Sequence, residues 1–185
     1  MSSQHAFFAL LGLVAILRGV EVLVSRARLA GRSAVPEPAL FPLMVVLHAG
    51  LIVLPGLEVW RLGRPFVPGL AVGAGVVLVL ATALRFWTLR TLGRAWNVRV
   101  VVPEPERIVT RGPYAWIRHP NYLVVILEIA AIPLLHTAWW SALGLSLLNG
   151  FVLWRRIRTE ERALFEIPAW REAMADKARL VPGLF

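Results

Sequence analysis

The chain has 185 residues, 58% of them hydrophobic, with a mean hydropathy of +0.67, and its apolar residues fall in long runs. Soluble domains break such residues into short periodic stretches, so this is a membrane composition. The net charge of +9 comes almost entirely from arginines that flank the runs, which argues against a nucleic-acid-binding module and for a topological role. The absence of cysteine excludes disulfides, thiolate metal ligands and a cysteine nucleophile; His5, His48, His119 and His136 are scattered without metal-site spacing, and no metal is expected.

Five apolar segments follow in chain order: about Ala6 to Val24, Ala39 to Trp60, Val67 to Thr88, Tyr122 to Leu135 and Ala138 to Trp154. The first has no basic leader and no small-residue cleavage site before Arg26 and Arg28, so it reads as a retained span and not a signal peptide. The first three segments, at ~20 residues, are long enough to cross a bilayer as helices. The fourth reaches only about 21 Å at 1.5 Å per residue, and just His136 and Thr137 separate it from the fifth, which predicts a tight and short helical hairpin. Pro133 near its tip is tolerable where freed carbonyls find water or neighbouring helices. The expectation is an all-α integral membrane protein with five transmembrane helices in a single domain, residues 1–185.

Lysine and arginine set orientation. Three lie between the first two spans (Arg26, Arg28, Arg32), seven from Arg85 to Arg118 and seven from Arg155 onward, against only Arg61 and Arg64 on the other side. The positive-inside rule places the N-terminus outside and the C-terminus in the cytosol. Leu89 to Pro120 holds Pro103, Pro105, Gly112 and Pro113 among polar residues and reads as a long cytosolic connection; Arg155 to Phe165 continues the fifth helix beyond the membrane.

Three constellations could carry chemistry. In Gly112-Pro113-Tyr114 through Arg118-His119-Pro120-Asn121-Tyr122, Pro120 suits a first helical turn, because its missing N–H would be unpaired there anyway. The helix N-terminus, with Arg118 and His119 beside it, suits an anionic group; the plain alternative is a positive-inside arginine with interfacial aromatics. In Arg156-Ile157-Arg158-Thr159-Glu160-Glu161, spacings of i,i+4 and i,i+3 allow ordinary surface ion pairs. Alternatively the adjacent carboxylates accept hydrogen bonds from a ribose diol or an amine. The hairpin brings these two motifs to the same end of two antiparallel helices. Third, Arg18, Glu21, His48 and Glu128 are ionisable residues inside spans, where such groups are costly and are candidates for substrate contact. Arg18 and Glu21, one turn apart, also satisfy one another.

The order and spacing of Gly112-Pro113-Tyr114, Arg118-His119-Pro120-Asn121-Tyr122, a short hairpin, then Arg156, Glu160-Glu161 and Leu164 resemble the isoprenylcysteine carboxyl methyltransferase family, from about Leu92 to Leu164. Leu92-Gly93-Arg94-Ala95-Trp96-Asn97, with Arg18, Glu21 and His48, is similar to a bacterial branch that includes O-methyltransferases of long-chain polyketides. The resemblance implies a cofactor core at about 89–165 for S-adenosyl-L-methionine. Tyr114, Arg118, His119, Pro120, Tyr122 and Glu160 would bind the cofactor, and Arg156, Glu160 and Glu161 would serve catalysis. It also implies a lipophilic or lipidated acceptor that enters sideways between spans, while the missing cleavable signal and the arginine pattern fit a bacterial inner membrane with the site facing the cytosol. Leu123-Val124 departs from the family, which has a small residue soon after the tyrosine.

Membrane sterol reductases that use NADPH share the Arg-His-Pro-Asn-Tyr stretch, and a small membrane scaffold would need no site at all. Glutamates one hairpin later favour the methyltransferase. The oligomeric state is not set by the sequence.

Overall fold

The computed structural model describes residues 2–29, 40–99, 101 and 108–183. Within them lie α1 (Ser3–Leu29), α2 (Leu40–Leu62), α3 (Pro68–Leu92), α4 (Pro120–Leu134), α5 (Trp139–Leu164) and α6 (Pro168–Met174), with 3₁₀ turns at Gly93–Ala95 and Gly112–Ala115. Prolines open α3, α4, α6 and the second 3₁₀ turn, where their missing N–H is of no consequence. Pro120 thus begins α4, as its sequence context predicts. Among the described residues no strand forms, and Ile117 makes an isolated bridge with Ala178.

Three helices are long and apolar enough to cross a membrane: Ser3–Leu29, Leu40–Leu62 and Pro68–Ala95. Their outer faces carry bare apolar side chains, for example Leu23 at 66% and Val79 at 68% exposure, which water would penalise and lipid tolerates. At 15 residues, or ~22 Å, α4 is short. Its neighbour α5 runs unbroken for 26 residues and carries Arg155 to Arg162 on its last turns, the extension expected from sequence.

The hairpin turn between α4 and α5 is pinned from outside. Thr137 adopts φ +54° and its hydroxyl donates to the Pro65 carbonyl at 2.6 Å, tying the turn to the α2–α3 connection. Glu58 of α2, itself held by Arg64, accepts from the backbone N–H groups of Trp140 (3.2 Å) and Ser141 (2.7 Å). These are N–H groups that the first turn of α5 cannot pair internally, so Glu58 caps that helix from a neighbouring one. Packing runs α1 on α2, α2 on α5, α5 on α4 and α4 on α3, around a core that includes Leu47, Leu51, Val59, Ile129, Ile132 and Val152.

Two features differ from the sequence reading. Arg85 lies inside α3 and is buried, because the helix continues to Leu92. Removing it from the connecting stretch leaves six basic residues there instead of seven. The connection itself is partly helical, with Gly112 at φ +60°; a Cβ there would lie 2.5 Å from Thr91 Oγ1, so both conformation and space demand glycine. Arg32, Ala39, Pro103 and Pro105 lie outside the described residues.

Candidate functional site

Two separate constraints fix the start of α4. The N–H groups of Arg118 and His119 donate to the carbonyls of Ala178 (2.9 Å) and Arg179 (3.0 Å), so residues 178–179 form a strap along the approach to the helix. From α5, Glu161 reaches back, accepts hydrogen bonds from His119 Nε2 (3.2 Å) and Arg179 Nε (2.9 Å), and forms an ion pair with Arg118 (3.1 Å). Burial pushes the Glu161 carboxyl up, but hydrogen bonds from His119 and Arg179 and the charges of His119 and Arg118 outweigh it and leave the group below the ordinary range. Burial lowers Arg118, an effect that Glu161 opposes and Arg179 reinforces.

Glu160 faces a different way, since adjacent helical residues are turned by about 100°. It accepts from the Tyr122 hydroxyl, and the Tyr122 ring stacks on His119 with centroids 5.3 Å apart. Arg156, buried, lies 5.7 Å from the same ring and donates to the Val98 carbonyl. Arg158 lies over Trp154 at 4.3 Å and does not reach Glu161, so the i,i+3 pairing open from sequence is not the one used. Burial and then the Glu160 charge push the Tyr114 phenol up, so it stays a hydrogen-bond donor near neutrality.

These groups open onto a cavity of about 700 Å³. At one end its wall includes Trp96, Tyr114, Arg118, His119, Asn121 and Glu160. Trp96 Nε1, Asn121 Oδ1 and Arg118 Nε are buried there without a hydrogen-bond partner among the described residues. Buried polar atoms are ordinarily satisfied, so three orphans on residues that line one cavity suit a polar ligand that completes them as it binds.

Towards the helix interiors the same cavity meets a closed ring of charge. Arg18 pairs with Glu21 and with Glu128 (3.1 Å); Arg85 pairs with Glu21 (2.9 Å) and with Glu128. Arg18, Glu21, Arg85 and His48 line the cavity, and Glu128 stands behind Arg18 and Arg85. Glu21, His48, Arg85 and Glu128 each lie seven or eight residues from the Leu29, Leu40, Leu92 and Pro120 ends of their helices, about 12 Å in. They form one layer.

Of the residues singled out in the sequence, Tyr114, Arg118, His119, Tyr122, Arg156 and Glu160 meet at the outer end, and Arg18, Glu21 and His48 at the inner. Pro120, Glu161 and Glu128 do not line the cavity; they hold residues that do. Leu123 and Val124, where the family pattern has a small residue, also lie off the wall, with Val124 fully buried and Val125 lining the space. Sequence reasoning missed Arg85, Asn121 and Arg179. Arg85 had a signal, a charge inside an apolar run; Arg179 had none.

Comparison with known proteins agrees with this architecture. The sequence model of the isoprenylcysteine carboxyl methyltransferase (ICMT) family matches residues 73–166. Bacillus subtilis YpbQ is 43% identical over 94 residues, 51% of this chain and 56% of that protein, and a Haemophilus influenzae protein is 28% identical over 89 residues, 48% and 52%. The Drosophila melanogaster lamin-B receptor is 41% identical over 62 residues, 32% of this chain and 8% of the receptor. The matched region therefore spans about half the length of the bacterial relatives. The solved eukaryotic intramembrane Ras methyltransferase ICMT superposes over 100% of this chain and 69% of its own, with TM-score 0.68 at 19% identity, a likeness of fold.

Proposed function

The chain belongs to the isoprenylcysteine carboxyl methyltransferase family, and from that membership we propose that it is a membrane O-methyltransferase that uses S-adenosylmethionine on a lipophilic acceptor. The observation that carries the reading is one continuous cavity, with unsatisfied polar groups at one end and an apolar, charge-ringed interior at the other.

The outer end has the donor set that S-adenosylmethionine needs. Arg118 and the start of α4 suit its carboxylate. Glu160 and Asn121 Oδ1 accept from an ammonium or ribose hydroxyls, and Trp96 and Tyr114 supply donors beside aromatic surface. The cofactor supplies an electrophilic methyl group on a sulfonium. Catalysis by this chain is then chiefly positioning: α4 and α5 hold the site rigid, and Glu161 fixes the orientation of Arg118 and His119. Arg156 is placed to orient the acceptor.

The acceptor class is either a prenylcysteine-type carboxylate or a long-chain phenol or enol. Val22, Leu23, Val45 and Ile52 line the cavity from α1 and α2, and Leu23 and Val45 are also exposed on the outer surface, which suits lateral access for a lipid tail. Five spans, with the N-terminus outside and the site facing the cytosol of a bacterial inner membrane, fit the basic residues that remain after Arg85 is set aside.

Calorimetric titration of detergent-solubilised protein tests the reading. Binding of S-adenosylhomocysteine is expected, with loss on His119→Ala or Glu160→Ala at unchanged expression. Tight binding of NADPH with none of S-adenosylhomocysteine would replace the methyltransferase by a reductase.

A further inference from the structure

His48 occupies the inner layer of the cavity, and its bonding fixes which nitrogen is available. Its Nδ1 lies 2.8 Å from the Met44 carbonyl, which can only accept, so Nδ1 carries the proton. Nε2 is then a lone-pair acceptor, and it has no hydrogen-bond partner among the described residues. Arg18 lines the same cavity, and its Nε–H is buried without a partner among the described residues.

We infer that His48 is the proton acceptor for a neutral hydroxyl acceptor group, such as a phenol or enol, whose oxygen receives the methyl group. The inference rests on the methyltransferase reading and deepens it. A hydroxyl offers one donor, which matches the free acceptor His48 Nε2 on the cavity wall. A carboxylate is acceptor-only and would set its charge against the His48 lone pair. Charge balance points the same way. Facing His48 are Arg18 and Glu21 of α1, Arg85 of α3, Glu128 of α4 and, through Met44, Arg156 of α5. In the ring two guanidinium groups meet two carboxylates, so that layer has no spare cation to neutralise an incoming anion at depth. The two carboxylates of the outer end are engaged: Glu160 with Tyr122, and Glu161 with Arg118, His119 and Arg179.

The step balances. The hydroxyl proton passes to His48 Nε2; the oxygen forms its bond to the methyl carbon as the carbon–sulfur bond breaks, and that electron pair stays on sulfur. The imidazolium later releases its proton to solvent.

The test compares 4-hexadecylphenol with N-acetyl-S-farnesylcysteine in micelles, using radiolabelled methyl donor, with S-adenosylhomocysteine affinity measured in parallel. Wild type is expected to methylate the phenol. His48→Asn, whose amide can keep the bond to Met44, should lower kcat at pH 7 by 100-fold or more, the scale of general-base catalysis, with S-adenosylhomocysteine affinity unchanged within twofold. The deficit should shrink as pH approaches the phenol's own pKa of about 10, where solution supplies the phenolate. His48→Ala should behave alike, its S-adenosylhomocysteine binding certifying the fold. Wild type that binds S-adenosylhomocysteine yet leaves the phenol unmethylated or prefers the farnesylcysteine, or a His48→Asn enzyme within threefold of wild type, overturns this inference alone. Wild type that fails to bind S-adenosylhomocysteine overturns the methyltransferase reading with it.

Discussion

The two ends of the cavity are both built from arginine and glutamate, yet they balance differently. At the outer end Glu161, behind the wall, meets Arg118, His119 and Arg179, and Glu160, on the wall, meets Tyr122 with Arg156 beside it, so three arginines stand against two carboxylates. In the inner ring two arginines face two glutamates. A surplus of positive charge is tolerable where water and the N-terminus of α4 are near, and it suits an anionic group; a layer some 12 Å along the helices has to be neutral, because an unpaired ion there costs several kcal/mol. Position along the helix thus assigns the same residue types to opposite tasks, recruiting charge at one end and hiding it at the other.

The sharpest break of this contrast is Glu161→Ala. Removing the buried carboxylate, 5% exposed, strands its cationic neighbours; about 3 kcal/mol of stability should be lost, together with S-adenosylhomocysteine binding, by thermal unfolding and calorimetry. Acid reads the same contact. The Glu161 pKa is depressed in the fold, so its contribution is present above the ordinary glutamate value of about 4.3 and lost as pH falls through the folded value; Glu161→Gln should flatten that limb of the unfolding profile.

In the ring, Glu128→Gln should cost about 2–3 kcal/mol, because it leaves two guanidinium groups to share Glu21. Arg85→Gln combined with Glu128→Gln should cost at least 1 kcal/mol less than the sum of the singles, since neutrality returns. Additive losses in a double-mutant cycle would mean that the ring does not act as a unit.

Gly112→Ala should cost about 1–3 kcal/mol, from its positive φ and the clash with Thr91, and weaken cofactor binding by displacing Tyr114. Smallest is Tyr122→Phe, which keeps the stack on His119 and loses the bond to Glu160: about 1 kcal/mol, read as a rise of up to tenfold in the S-adenosylhomocysteine Kd.

The proline at 120, the short gap between α4 and α5 and the charged extension of α5 are local signals, and each appears in the structure, the gap as four residues where two were expected. Local signals also brought the Arg118-His119 motif close to Glu160-Glu161. They could not say which glutamate faces the cavity. That depends on the rotation of α5 against α4, which is set by packing of residues such as Val125, Ile129 and Val152. Arg85 was misplaced because a charge near the end of an apolar run satisfies the positive-inside rule as readily as a buried ring does; only Glu128 and Glu21, 43 and 64 positions away, decide the matter. The strap at residues 178–179 follows no periodicity, so nothing in the sequence announced it.

That strap has a consequence for how the protein is made. A ribosome delivers Ala178 and Arg179 some sixty residues after Ile117, about 3–12 s later at ordinary elongation rates. During that interval the first four helices can already be inserted while the N–H groups of Arg118 and His119 still lack the carbonyls that fix them. Nascent chains stalled just short of Lys177 should therefore be integrated yet unable to retain S-adenosylhomocysteine, so that maturation of the pocket is timed by the last stretch of translation and not by insertion.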